Sequence, residues 1–491
     1  MSPTSSDADA GAGAAGAAAE SAAHARVAAA SHRLRLQRDR RRFERTFWVL
    51  VAALGAVSAV FLLLGALQGP KLSSAIVDPQ RVVEQPGQQL RLFANQPLAE
   101  VTAEQVTVTP AAAVTTLVQD DVLIVQFEQP LRAGTEYTVE VTEVGALSRD
   151  ATSTFTHRFT TAGSTLLYLD RGETVDEVLR APLDGAGRGE VVYAAEGIQH
   201  IAPVEGLLVV ARDAPDGTSV LELVASDGTV QTLSLPEGAQ IERLVPSPSG
   251  TLLAMILLVP DPAQEGARVE ALAAIDLGTE TAVEPVLGLD GVPLRAMAAE
   301  FLSDARTLVV HAFDTSLLRV ELAEPPLALP FGQVPTMYAL STDSTRVTGG
   351  DGFGEVVVDV ATGTEDRLVP SLVNGQLAFG GEVRLTRGEL RVQKVAVPDE
   401  TGGTIVSLLI ADEGAGEARV LFRTVDDRGS IGDFVLSPND QYVAVEVTPS
   451  VADAQPDGRP VNGRPTSVTT VVIDIATGAV VRTLEGFAPH F

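Results

Sequence analysis

Two short motifs alternate along the C-terminal two thirds of the chain, and their order restricts the fold more than any other feature. The first is a polar turn that leads into an apolar strand. It occurs at Pro246 to Gly250 before TLLAMILL, at Ser303 to Arg306 before TLVVHAF, at Ser341 to Ser344 before RVTGG and at Ser437 to Asp440 before QYVAVEV. The second is a strand that ends in Asp and a tight turn, at Asp276 to Thr279, Asp359 to Gly363 and Asp474 to Gly478, with a weaker copy at Ser226 to Thr229. Gly363 and Gly478 suit the positive-φ position of a hairpin, and the aspartates suit acceptance of hydrogen bonds from turn amides and Thr hydroxyls. A unit that recurs in this way buries its apolar faces by stacking on its neighbours. Each pair of markers delimits a four-stranded meander. Seven units are predicted, at 164–196, 197–237, 238–292, 293–331, 332–371, 372–427 and 428–486, with six as the alternative count because the first and the sixth are poorly marked.

The ends of this segment point to a closed ring. The first unit holds three credible strands, at 166–169, 175–181 and 189–193, and the chain finishes on a lone extra strand at 486–491. That last strand is expected to complete the first blade as its inner strand, which removes open sheet edges. The marker order resembles the WD-repeat-like propellers of bacterial TolB-type and YVTN-type proteins. No repeat carries a His and Trp-Asp pair, so the resemblance does not extend to the eukaryotic WD-repeat class.

Residues 76–163 follow a different rule. Tyr137, Val139 and Val141 alternate with Thr138, Glu140 and Thr142, and turn residues come every 8 to 12 positions. Strands are predicted at 89–93, 105–109, 122–127 and 154–160, within a two-sheet sandwich of six or seven short strands. Four segments in order, 90–98, 106–110, 130–139 and 159–163, resemble the bacterial Ig-like domain of the SbsA type. That resemblance implies a spacer or adhesion module in a surface protein.

Charge and hydropathy divide the remainder. Residues 1–46 hold eight Arg against five acids, giving +3, and residues 47–75 hold Lys71 alone, which leaves -33 of the total -29 in residues 76–491. Residues 1–30 are a low-complexity Ala, Gly and Ser mixture and are expected to be disordered. Phe47 to Leu67 is uncharged and about 31 Å long as a helix, which matches a bilayer core. Arg40, Arg41, Arg42 and Arg45 precede it and Trp48 lies at its start, so a single-pass span is expected, with a cytoplasmic N-terminus and an extracytoplasmic body. A cleaved signal peptide is the alternative, with Ser73-Ser74-Ala75 as its cleavage site. The expected organisation is therefore 1–46 tail with a basic juxtamembrane segment, 47–67 transmembrane helix, 68–75 linker, 76–163 sandwich and 164–491 propeller. The fold class is an all-β ectodomain behind one N-terminal helix.

Composition removes several function classes. The acidic body argues against a nucleic-acid partner, because phosphate contacts need clustered Lys and Arg. No cysteine is present, so thiolate metal sites and Cys nucleophiles are excluded. The six His have no metal-ligand spacing, no G-x-S-x-G elbow follows the propeller, and no calcium-loop motif occurs. The single Trp lies in the apolar run, which disfavours an aromatic sugar platform. No catalytic, metal or cofactor residues are assigned, and the protein is not expected to be an enzyme. Asp276, Asp359, Gly363, Asp474 and Gly478 are expected to be structural. Two long connections, 259–269 and 448–466, mark the expected binding face. The leading expectation is a membrane-anchored binding or scaffold protein for an envelope protein or peptide. The alternatives are a propeller hydrolase or lactonase using channel carboxylates, and a sensory accessory protein of the envelope.

Overall fold

The computed structural model describes residues 45–60, 68–147, 149–288, 290–323, 327–398, 405–414, 416–459 and 461–491. Residues 45–60 are helical, with exposed side chains; residues 61–67, the rest of the expected span, and Arg40, Arg41 and Arg42 lie outside the described residues. Among the described residues, no helix is long and apolar enough to cross a membrane. Among the described residues after this helix, the regular structure is β-strand apart from a four-residue helix and two 3-10 turns.

Residues 72–160 form two facing sheets, of four and three strands. Leu92 and Val125 of one sheet and Val139 and Phe155 of the other meet in a single core. Period-two alternation makes this possible, because only one face of each sheet is apolar. The sandwich begins earlier than expected. Leu72–Ile76, of which all but Ile76 were expected in the linker, is an edge strand antiparallel to Gln89–Ala94. Its polar Ser73 and Ser74 hide the pattern, since an edge strand is held by backbone bonds more than by apolar burial.

Seven four-stranded antiparallel sheets follow. Their innermost strands are Ile198–Val204, Gln240–Pro246, Ala296–Phe301, Thr336–Leu340, Val383–Leu385 and Ser430–Leu436 in blades 2 to 7. Phe487–His490 serves blade 1, pairing antiparallel with Thr165–Asp170. The C-terminal strand thus sits beside the first strand of the repeat region. Apolar clusters join each blade to the next all the way round, from Ile198 and Leu169 between blades 1 and 2 to Leu166 and Val472 between blades 7 and 1. Because both faces of a blade are covered, its central strands are apolar in continuous runs; Leu253 to Leu257 are all buried.

The sandwich docks on one face of the ring. Gln441 accepts a hydrogen bond from Ala133 N–H at 2.8 Å, Asn439 donates to the Leu131 carbonyl at 3.2 Å, and Tyr442 packs into the sandwich core. Arg132 pairs with Asp474 at 3.8 Å and Arg81 with Glu205 at 3.8 Å. These partners all belong to connections between first and second or third and fourth strands, which share that face. The connections between second and third strands, and between blades, lie on the opposite, free face.

Phe487 is 1 % exposed and touches the clusters of blades 1 and 2. Phe487→Ala is expected to cost about 3–5 kcal/mol, read as a lower urea midpoint, whereas Phe353→Ala on an exposed turn should leave the midpoint unchanged.

Candidate functional site

Asp276, Asp359 and Asp474 end third strands, and Gly363 and Gly478 lie in the turns that follow. Asp359 accepts from Ala361 N–H at 3.0 Å, Thr362 N–H at 2.7 Å and the Thr362 hydroxyl at 2.8 Å, and these bonds hold its carboxyl below the usual range, the Thr362 amide contributing most. Gly363 has φ +70°, and a Cβ there would collide with the Phe331 carbonyl of blade 4. Asp474 accepts from Thr477 N–H and hydroxyl at 2.9 and 2.8 Å, with Gly478 at φ +72°. Asp276 accepts from the Thr251 hydroxyl and from Gly278 N–H at 3.0 Å, which lowers its pKa. All three turns lie on the sandwich side, away from the free face. Of the residues expected to flank a membrane span, Arg45 and Trp48 are exposed, and Phe47 meets Trp48 edge-on at 5.9 Å.

The two connections expected to mark the binding face both join second to third strands, on the free face. Val259 pairs with Val269 and Pro260 with Arg268, so the strands run into both ends of 259–269 and leave a seven-residue turn, 261–267, that Asp261 N–H closes onto the Ala267 carbonyl. The apolar valines at both ends extend the hairpin. Residues 449–468 form a long connection, but it is fastened down across blades 1, 2 and 7. Arg171 of blade 1 donates to Asp457 at 2.5 Å and to the Asn462 carbonyl at 2.9 Å. Arg459 pairs with fully buried Asp176 at 3.0 Å, and Asn462 donates to the Gln199 carbonyl at 2.7 Å. Arg464 reaches Glu446 at 3.0 Å and Asp433 at 3.1 Å. This connection clasps the ring where its two ends meet.

A third connection, between blades 5 and 6, escapes the sequence reading. Leu372–Val373 and Gln376–Leu377 form a hairpin around Asn374 and Gly375, both at positive φ. Val373 and Ala378 are buried against blade 6, while Leu377 and Phe379 are 64 % and 60 % exposed. The Asn-Gly pair beside apolar residues is the signal that identifies it.

The inner strands line the axial channel with polar groups. A β-bulge interrupts the pairing near the start of the inner strand in six of the seven blades, including Ile198/His200, Ile241/Arg243 and Ala296/Ala298. A bulge re-aims side chains; along these inner strands Arg243 acts on both His200 and Glu300, His490 acts on His200, and Arg384, from the blade without a bulge, acts on Glu300. Burial pushes His200 down to about 4, helped by the positive charges of Arg171, Arg243 and Arg464. Burial likewise pushes His490 down to about 4. Burial raises Glu300, against the pull of Arg384. Among the described residues, no three His, Asp or Glu lie together in a way that could hold a metal ion.

No family model matches the chain, and no curated protein matches it, so the Ig-like resemblance of the sandwich finds no support there. Among solved structures, dihydro-heme d1 dehydrogenase NirN in complex with DHE is 13 % identical over 67 % of this chain and 74 % of its own, with a TM-score of 0.39. The β-propeller domain of Myceliophteria thermophila Cps50 (Swd1) is 15 % identical over 60 % and 88 %, with a TM-score of 0.36. A prolyl endopeptidase is 16 % identical over 67 % of this chain and 49 % of its own, with a TM-score of 0.44. The architecture here, all-β and propeller-like, rests on the strand pairing itself.

Both histidines have folded pKa values near 4, below the unfolded value of about 6.5. Between those values the unfolded chain binds more protons, so stability falls on acidification, by up to about 1.4 kcal/mol per pH unit for each. Urea titrations at pH 7 and pH 5 should show this loss, and His490→Gln should shrink it.

Proposed function

We propose that this protein is a membrane-tethered, extracytoplasmic binding protein whose propeller offers its free face to a protein or peptide partner of the cell envelope. The helical residues 45–60 belong to the anchor, whose span is 47–67, and the sandwich is an Ig-like spacer. In the sandwich, the Tyr137 hydroxyl accepts a hydrogen bond from Arg132 N–H at 3.0 Å, a tyrosine-to-upstream-backbone bond of the kind Ig-like sandwiches use.

One observation carries the binding reading. Among the described residues, the large apolar side chains exposed on propeller loops all belong to the free face: Leu287, Val292, Phe313, Phe353, Phe379 and Val425 are examples, and no turn of the sandwich face carries one. Phe353 is 89 % exposed. Apolar groups gathered on one face mark a surface that a partner covers. The polar lining of the channel favours the enzyme reading in its turn, but among the described residues no three His, Asp or Glu are grouped for metal chemistry. Binding is the reading the geometry supports better.

A photo-crosslinking residue at Phe353 of the full-length protein should yield a discrete adduct with another envelope protein in intact cells. The same residue at Thr345, in a turn of the sandwich face, should yield none. Absence of an adduct from Phe353, or an adduct from Thr345 alone, would contradict the proposal.

A further inference from the structure

The channel mouth between blades 2 and 3 carries unused hydrogen-bonding capacity. His200 and Arg243 occupy equivalent places on adjacent inner strands: each follows a one-residue bulge, at Gln199 and at Glu242, and each bulge follows a buried isoleucine, Ile198 or Ile241, that fixes the register. The two inner strands are in contact, and Arg243 lies near enough to act on His200 electrostatically. His200 Nε2 is buried and has no partner. Arg243 is exposed, and among the described residues no carboxylate forms an ion pair with it.

The neighbouring cations are already engaged. Arg171 is held by Asp457 and Asn462, and Arg464 by Glu446 and Asp433; both lie over the Phe487 ring, at 4.8 and 5.5 Å. On the next inner strand the residue after the bulge is Ala298, whose methyl group leaves space. The permanently charged groups that act most on His200 are Arg171, Arg243 and Arg464, three cations within a chain of net charge -29. Glu242 and Glu300 also feel Arg243, which limits the negative charge the site accepts.

We infer that this sector is a carboxylate-binding site, with the Arg243 guanidinium gripping both oxygens and His200 Nε2–H donating to one of them. A planar monoanion matches the guanidinium fork, and a neutral imidazole supplies the further donor without adding charge. A dianion such as phosphate would meet the two glutamates with one free cation to balance it. The carboxylate belongs to a small organic acid or to the C-terminus of a peptide, and the inference does not depend on the binding face described above.

The test uses full-length protein with 13C at histidine Cε1, the His200 resonance being assigned by loss in His200→Asn. Acetate should move that resonance saturably at constant ionic strength, and Arg243→Gln should weaken the response about tenfold, with Arg243→Lys between them because it keeps charge without the fork. A tripeptide with a free C-terminus that binds at least about tenfold tighter than both acetate and its amidated form would assign the ligand to peptides. Equal binding of acetate and tripeptide would assign it to small acids. An unchanged response in Arg243→Gln, an equal response to chloride, or tighter binding of inorganic phosphate would overturn the inference.

Discussion

The pairing of Phe487–His490 with Thr165–Asp170 holds the rest of the molecule in place. Seven sheets with two apolar faces each have no stable arrangement in a row, because the terminal sheets would expose a face and an edge to water. Joining the last strand to the first blade turns the row into a ring in which every face has a neighbour. The ion pairs of residues 449–468 reinforce that joint. Arg459 on buried Asp176 and Arg171 on Asp457 tie blade 7 to blade 1 across the seam. An ion pair buried this deeply has little net value as an isolated interaction but is costly to break, which suits a fastening that keeps one closure.

The ring then gives the molecule two unlike faces. The sandwich occupies one through Gln441, Asn439 and the Arg132–Asp474 pair. Asp474 therefore has two duties, shaping its own turn and receiving the sandwich. The other face keeps its loops, its exposed phenylalanines and the channel mouth, where the bulged inner strands turn His200 and Arg243 inward. An N-terminal anchor leading into the sandwich would point this second face away from the bilayer.

Much of this architecture is legible in the sequence, because its signals are local. Asp359, Gly363, Asp474 and Gly478 announce turns through chemistry confined to a few residues, and alternation at Tyr137 to Thr142 announces a sandwich strand. What escaped depends on distant partners. Leu72–Ile76 is a strand only because Gln89–Ala94 lies beside it. Residues 449–468 look like a free loop until Asp176, Glu446 and Arg171 are seen beneath them. The channel site was invisible for the same reason: His200 and Arg243 are 43 positions apart in sequence, and only the shared bulge of neighbouring strands brings them into register. The Asn374-Gly375 hairpin is different, since its signal was present in the sequence.

The chain has no cysteine, which permits a direct test of the central claim that the body stands outside the membrane with its free face open. A single cysteine is placed at Phe353 or at Ser5 of the full-length protein, and intact cells are treated with a membrane-impermeant maleimide. The account predicts that the Phe353→Cys protein is labelled in intact cells and that the Ser5→Cys protein is labelled only after lysis. Labelling of Ser5→Cys but not Phe353→Cys in intact cells would contradict it.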